Sequence, residues 1–317
     1  MAHWRSLPAY ELISYIFMFA CIPMLVFGIK IYDYLIIRII IFSILALYSG
    51  FFAALIWNDI TDADIDRIAH PDRPIPSGRI TSKKFFLVAL FFSATTFIFS
   101  YLISVWCLIL VGASALFVAF HNKFLKKKVK MPAYSELFTP IQWVIVPVFG
   151  YFAIWTGYPS PGIISFNFLF FGQMSFDGTA LLNMILFVLF VYFADNAHDL
   201  PEGIHDAEGD RKKGVRTYAT SFGERKAAKI SFMMFFISGI IGIILFFQTI
   251  LSYVFLIPFL IIWVYTLYYS YKLLKAEDKN MVEISSIVGR KGFNYFLFIF
   301  DLIFLDIFIQ LMFYFYS

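Results

Sequence analysis

Asn58, Asp62 and Asp66 recur every four residues at the end of an apolar run long enough to cross a bilayer, and Asp59 lies beside them. On a helix this spacing stacks the oxygen side chains along one face. So many acids on one stripe repel each other unless something positive stands between them. A hard divalent cation fits that need, and Mg2+ prefers few protein carboxylates and completes its shell with water and phosphate oxygens. A second acidic cluster, Asp206-Ala207-Glu208-Gly209-Asp210, follows another apolar run. Asp206 and Asp210 repeat the four-residue step, Asp199 lies seven before Asp206, and Asp195 four before Asp199. Two such clusters suit a pair of Mg2+ ions carrying a diphosphate.

Cations accompany both clusters. Arg67 and Arg73 follow the first, in a stretch stiffened by Pro71, Pro74 and Pro76. A guanidinium grips phosphate oxygens in bidentate fashion. Arg211, Lys212, Lys213 and Arg216 follow the second cluster. Pro201 and Gly203 argue against one continuous helix from Asp195 to Asp206. His198 and His205 lack the spacing of a usual zinc pair, and the oxygen-rich setting favours Mg2+, so both read as ordinary side chains.

The elements that position these groups are membrane spans. The chain is 61% hydrophobic and 15% charged, far from the ~25% charged of a soluble domain. A net charge of +4 gives no reason to expect a nucleic-acid partner. Cys21 and Cys107 lie within apolar runs and read as small core residues. Segments near 11–30, 35–57, 85–104, 105–121, 138–156, 179–198, 228–248, 252–271 and 293–315 are each apolar enough to span, with a tight turn near Ser104. Of the 25 Lys and Arg, all but Arg5, Lys30 and Arg38 fall in the four loops on the side of the acidic motifs. The positive-inside rule then places both motifs and the N-terminus in the cytoplasm. The expectation is an all-α integral membrane protein of the plasma membrane, one domain over 1–317, with nine transmembrane helices and its site facing the cytoplasm. The 157–178 segment reads as an apolar external loop without chemistry. Asp301 and Asp306 lie within the last span, with no role evident from sequence.

Asn58-Asp59-x-x-Asp62-x-x-x-Asp66, followed by Arg73-Pro74-Ile75-Pro76-Ser77-Gly78, resembles the first signature of the UbiA superfamily of intramembrane prenyltransferases. Asp206-x-x-Gly209-Asp210-Arg211-x-x-Gly214-x-x-Thr217 resembles the second, and the likeness covers nearly the whole chain. The resemblance implies a ring of nine helices around a central cavity, with Mg2+ as cofactor bridging both motifs to a prenyl diphosphate. Carried onto this sequence, it makes Asn58, Asp62, Asp66, Asp206 and Asp210 metal ligands. Lys126 matches a diphosphate-binding lysine, and Arg67, Arg73 and Arg211 join it in holding the diphosphate. Asp59 and Asp199 are the candidates to take up the proton released by the acceptor.

The chain also departs from the family pattern. Ser14 stands near where many relatives carry an arginine, His121-Asn122 where a tyrosine is common, and Glu202-Gly203 where a Lys-Asp or Arg-Asp pair is common. The Arg73 to Gly78 run resembles both archaeal digeranylgeranylglyceryl phosphate synthases and chlorophyll synthases. The implied reaction is geranylgeranyl transfer to a lipophilic acceptor, with geranylgeranylglyceryl phosphate favoured over a quinone precursor or a chlorophyllide-like ring. Beyond those substrates and the membrane lipids, no obligatory protein partner is inferred. A cation-coupled transporter is the competing class, but transport pathways place charge near the midplane and here the acids gather at one face. A CDP-alcohol phosphotransferase would carry an Asp-Gly-x-x-Ala-Arg run, which this chain lacks.

Overall fold

The computed structural model describes residues 8–28, 33–61, 63, 67, 73–125, 129–138, 140–158, 164–168 and 172–316 of the 317. Its long helices are α1 (Ala9–Phe27), α2 (Tyr34–Thr61), α3 (Ser82–Ile103) and α4 (Val105–Phe120), the last continued by a π-helical turn at His121–Leu125. The short α5 (Tyr134–Phe138) leads to α6 (Ile141–Gly157), then a β1 (Ile164–Phe168) and β2 (Gly172–Phe176) hairpin. There follow α7 (Gly178–His205), the short α8 (Ala207–Lys213) and α9 (Tyr218–Phe222), and the long α10 (Glu224–Gln248), α11 (Tyr253–Leu274) and α12 (Asp278–Tyr316).

Among the described residues, eight helical segments are long and apolar enough to cross a membrane. The apolar α4 has 16 residues. Large apolar side chains are exposed around the outside of the bundle, as expected where lipid is the solvent. One core cluster joins α1, α2, α6, α7, α10, α11 and α12. The turn expected near Ser104 is present. Ser104 is both the last cap of α3 and the first cap of α4, its hydroxyl accepting from the Cys107 N–H at 3.1 Å and from the Thr156 hydroxyl at 2.6 Å.

Cross-helix hydrogen bonds sort the helix ends onto two faces. The Asn183 amide, near the start of α7, donates to the Val26 carbonyl at the end of α1 (3.1 Å). Tyr158, capping the end of α6, donates to Asp33 just before α2 (3.0 Å). The starts of α2 and α7 therefore share one face, and their acidic C-terminal ends share the other. Each of these helices has 28 residues, more than the ~20 that cross the hydrocarbon, which leaves the final acidic turns at the rim. Asp306 is a staple near the face opposite the acids: it is fully buried and accepts from the Ser252 N–H (2.6 Å), the Ser252 hydroxyl and the Gln310 amide. Asp301 accepts from the Ser14 hydroxyl at 2.9 Å, tying α12 to α1.

Two features differ from the sequence expectation. The 157–178 segment contains an antiparallel hairpin, Ile164 opposite Phe176 and Phe168 opposite Gly172. The alternation in Ile-Ser-Phe-Asn-Phe is the period-two signal of a strand. Helix α7 also runs unbroken through Pro201 and Gly203. Proline has no N–H for the carbonyl four residues back, which is that of Ala197. The buried Ser231 hydroxyl of α10 donates to that carbonyl instead, at 2.7 Å. Replacing Ser231 with Ala should leave a buried carbonyl unsatisfied and cost about 1–2 kcal/mol, read as a lower unfolding midpoint of the purified protein in detergent.

Candidate active site

The end of α2 is clamped against α3. Trp57 donates to the Ser93 hydroxyl at 3.1 Å and meets Phe86 edge-on, while Ile56 packs with Phe85 and Ala89. This fixes the rotation of the last turn and with it Asn58, half-buried, and Asp59, only 2% exposed. Asp59 is not bare: Arg73 Nη1 lies 3.8 Å from its Oδ1. Arg73 is held there by a compact turn. The Ser77 N–H (2.9 Å) and hydroxyl (2.6 Å) both donate to the Arg73 carbonyl, and Ile80 N–H reaches the Pro74 carbonyl (3.2 Å). Gly78 closes the turn at φ +72°, a conformation that favours glycine. Arg67 is exposed. Asp62, Asp66 and Lys126 lie outside the described residues.

The second acidic group is richer than its sequence spacing suggested. On α7, the His198 ring stands between carboxylates. Its Nε2 is 3.1 Å from Asp195 Oδ1, and its Nδ1 is 3.5 Å from Asp199 Oδ1 and 3.9 Å from Glu202 Oε1. Asp195 and His198 are buried, whereas Asp199 is partly open and Glu202 is open. Asp206 ends α7 in an exposed position, 2.8 Å from His205 Nδ1. Asp210 follows on α8, half-buried. Arg211 is turned to Glu224 of α10, at 2.9 Å. Lys212, 2.7 Å from Glu208, holds that carboxyl below the usual range and commits it to a surface pair.

Glu136, on α5, was not singled out by sequence reasoning. It is buried, with one oxygen accepting from the Tyr218 N–H and the other, Oε1, without a hydrogen-bond partner. Its carboxylate lies within electrostatic reach of Asp199 and Asp210. A Cβ added at Gly203 would collide with Glu136 Oε1, so the bare glycine of α7 makes room for it. No periodic pattern marks Glu136, because its short helix is brought in by the Ser135 N–H to Arg216 carbonyl bond and the Ala133 N–H to Ser221 hydroxyl bond, both long in sequence separation.

Below the acids, aromatic rings connect the two helices that carry them. Tyr15 of α1 lies 4.6 Å from Phe51 of α2 and 5.4 Å from Trp143 of α6. Trp143 lies 5.7 Å from Phe296 of α12, whose ring centre is 6.1 Å from that of His198 on α7. One aromatic cluster thus underlies both acidic ends, with polar chemistry at the rim and π-faces beneath it.

Apolar helices of spanning length, with acidic side chains gathered at one end of the bundle, define an integral membrane protein. Comparison with known proteins gives the family: the model of the UbiA prenyltransferase family matches residues 17–287, and the chain belongs to that family. It is 25% identical over 221 residues to a digeranylgeranylglyceryl phosphate synthase of Sulfurisphaera tokodaii, covering 70% of this chain and 66% of that relative. Among solved structures, an apo UbiA homologue from Aeropyrum pernix K1 superposes with a TM-score of 0.67 at 18% identity, over 95% of this chain and 97% of that one. A UbiA homologue from Archaeoglobus fulgidus bound to DMAPP and Mg2+ superposes with a TM-score of 0.53 at 15% identity, over 90% and 96%.

Substituting Gly203 with Ala should push Glu136 off the Tyr218 N–H. The expected cost is about 1–3 kcal/mol, seen as a lower unfolding midpoint that a Gly209→Ala control, where a Cβ meets nothing, does not share.

Proposed function

We propose that this chain is a Mg2+-dependent prenyltransferase that moves a geranylgeranyl group from its diphosphate to geranylgeranylglyceryl phosphate. The observation that carries the reading is the placement of both acidic helix ends on one face above a shared aromatic cluster, in a member of this family. The assigned donor set, carboxylates and one amide oxygen, is the chemistry of a hard cation. Asn58, Asp62, Asp66, Asp206 and Asp210 are assigned to hold Mg2+. When bound, Mg2+ neutralises the diphosphate and the charge that develops on it as it leaves.

The remaining steps belong to the protein's own groups. Apolar helix faces bury the prenyl tail at about 0.8 kcal/mol per CH2. Arg67, Arg73 and Lys126 are assigned to the diphosphate oxygens, with Arg211 joining them on leaving Glu224. The allylic C–O bond breaks with its electron pair going to the diphosphate. The π-faces of Tyr15, Phe51, Trp143 and Phe296 favour the allylic cation, and they keep water from quenching it. The acceptor hydroxyl oxygen forms the new C–O bond and gives up its proton. Of the two carboxylates assigned to that proton, the partly open Asp199 is better placed than Asp59, which is buried against Arg73.

The same reading takes α4 with its π-helical turn as a ninth span. It treats 1–317 as one domain, and sets the acid face and the N-terminus in the cytoplasm with the chain in the plasma membrane. The segregation of Lys and Arg to the acid side supports that orientation. Labelled geranylgeranyl diphosphate, offered in proteoliposomes with geranylgeranylglyceryl phosphate and with aromatic acceptors, tests the assignment. Transfer to the glyceryl phosphate is expected, abolished by chelation and restored by Mg2+. Asp62→Ala and Asp206→Ala should each lower turnover by about 100-fold or more. Full turnover in both, with normal insertion, would remove the metal-site assignment.

A further inference from the structure

One to two turns before Asp206, three more side chains of α7 come together. His198 Nδ1, Asp199 and Glu202 offer ligand atoms that all lie within 4.8 Å of one another. Two further observations point to an ion. His198 is 5% exposed, and its Nδ1 has no hydrogen-bond partner although it aims between two carboxylates. Its separations from them, 3.5 and 3.9 Å, are long for hydrogen bonds. Two ligands of one metal ion, each bonded at about 2.0–2.2 Å, stand about 3.0–3.5 Å apart. Modest side-chain movement would close these three atoms on a cation.

The other ring nitrogen strengthens the case. Nε2 lies 3.1 Å from Asp195 Oδ1; in the tautomer protonated at Nε2 it donates to that carboxylate, and the Nδ1 lone pair faces Asp199 and Glu202. A carboxylate behind a histidine in this way is the usual support of a metal-ligating imidazole. The wall opposite is cut to fit. A Cβ on Gly292 of α12 would come within 2.8 Å of His198 Cβ, and one on Gly289 within 2.7 Å of Glu202 Cγ. Both glycines let α12 close over the cluster. Glu202, with its side chain 54% exposed, leaves a way in from the rim.

We propose that His198, Asp199 and Glu202 bind a divalent first-row transition ion, supported by Asp195 and separate from the Mg2+ assigned to Asp206 and Asp210. The nitrogen donor sets this site apart, because imidazole suits ions such as Zn2+, Fe2+ or Ni2+ while Mg2+ keeps to oxygen; Mn2+ serves below as a paramagnetic probe. The ion would be the fixed counter-charge for Asp195, Asp199 and Glu202. The proposal deepens the prenyltransferase reading but does not need turnover to be tested.

The full chain, chelator-stripped in detergent and loaded with Mn2+ alone, can be read by electron paramagnetic resonance for nitrogen coupling to the metal. A nitrogen-coupled Mn2+ is expected, kept in Asp206→Asn and lost in His198→Gln. Glu202→Gln, at an open position, should weaken its binding about tenfold or more and serves if His198→Gln does not fold. The site is overturned by no nitrogen coupling in the unaltered chain, coupling unchanged in His198→Gln, unchanged affinity in Glu202→Gln, or coupling lost in Asp206→Asn. Prenyl transfer with Mg2+, measured in parallel, separates the two claims. Transfer without a nitrogen-coupled ion sinks only this site, and the ion without transfer sinks only the enzyme reading.

Discussion

Like charge gathered at the edge of a low-dielectric medium is the constraint around which this molecule is organised. Carboxylates on α2, α5, α7 and α8 stand at one rim of an apolar bundle. Held this close they repel, and burial raises the cost of each uncompensated charge. The protein meets part of that cost internally. Arg73 stands against Asp59, the His198 Nε2 against Asp195, and a backbone N–H against Glu136. What remains is negative, and it is open where Asp199, Glu202 and Asp206 reach the surface. In the proposed function, that residual charge is where cations and, through them, a diphosphate would be held.

The scaffold serves this arrangement through backbone devices. Helix α7 must present its acids in phase over its last turns although it contains a proline, and the Ser231 hydroxyl replaces the missing donor. Small residues recur wherever a charged side chain needs space: Gly203 beside Glu136, Gly289 beside Glu202 and Gly292 beside His198. The short α5 and α9 are tied to one another by bonds between distant residues, so Glu136 arrives at α7 already anchored. Beneath them the aromatic cluster gives the acids a dry floor with electron-rich faces, a suitable setting for a reaction that passes through a cation.

The comparisons bear on these two layers differently. Fold likeness extends over almost the whole chain at less than 20% identity, so the helix arrangement persists while most side chains differ. Some of the positions at which this chain departs from the expected family pattern have identifiable partners in the fold. Glu202 and Gly203 are two of them, and they lie against Gly289 of α12 and the carboxylate of Glu136. Ser14 is another, and it is bonded to Asp301, giving a role to an aspartate that the sequence left without one.

Long-period signals were legible from the chain itself. Apolar runs of bilayer length located the spans, Ser104 marked a real break between two of them, and the acidic runs begin at the ends of the two 28-residue helices, with Asn58 and Asp59 closing α2 and Asp206 capping α7. These features are local, and a bilayer imposes the same length and polarity rules on any chain that crosses it. Only the folded molecule decided which polar groups meet. Arg73 on Asp59, Arg211 on Glu224 and Glu136 under Gly203 are contacts between residues from different elements, and no periodicity encodes them. The sequence counted Pro201 as a helix breaker because the hydroxyl that rescues it is 30 residues away on another helix. It read His198 as an ordinary side chain, since what a histidine's two nitrogens face is set by packing, here between its own helix and α12.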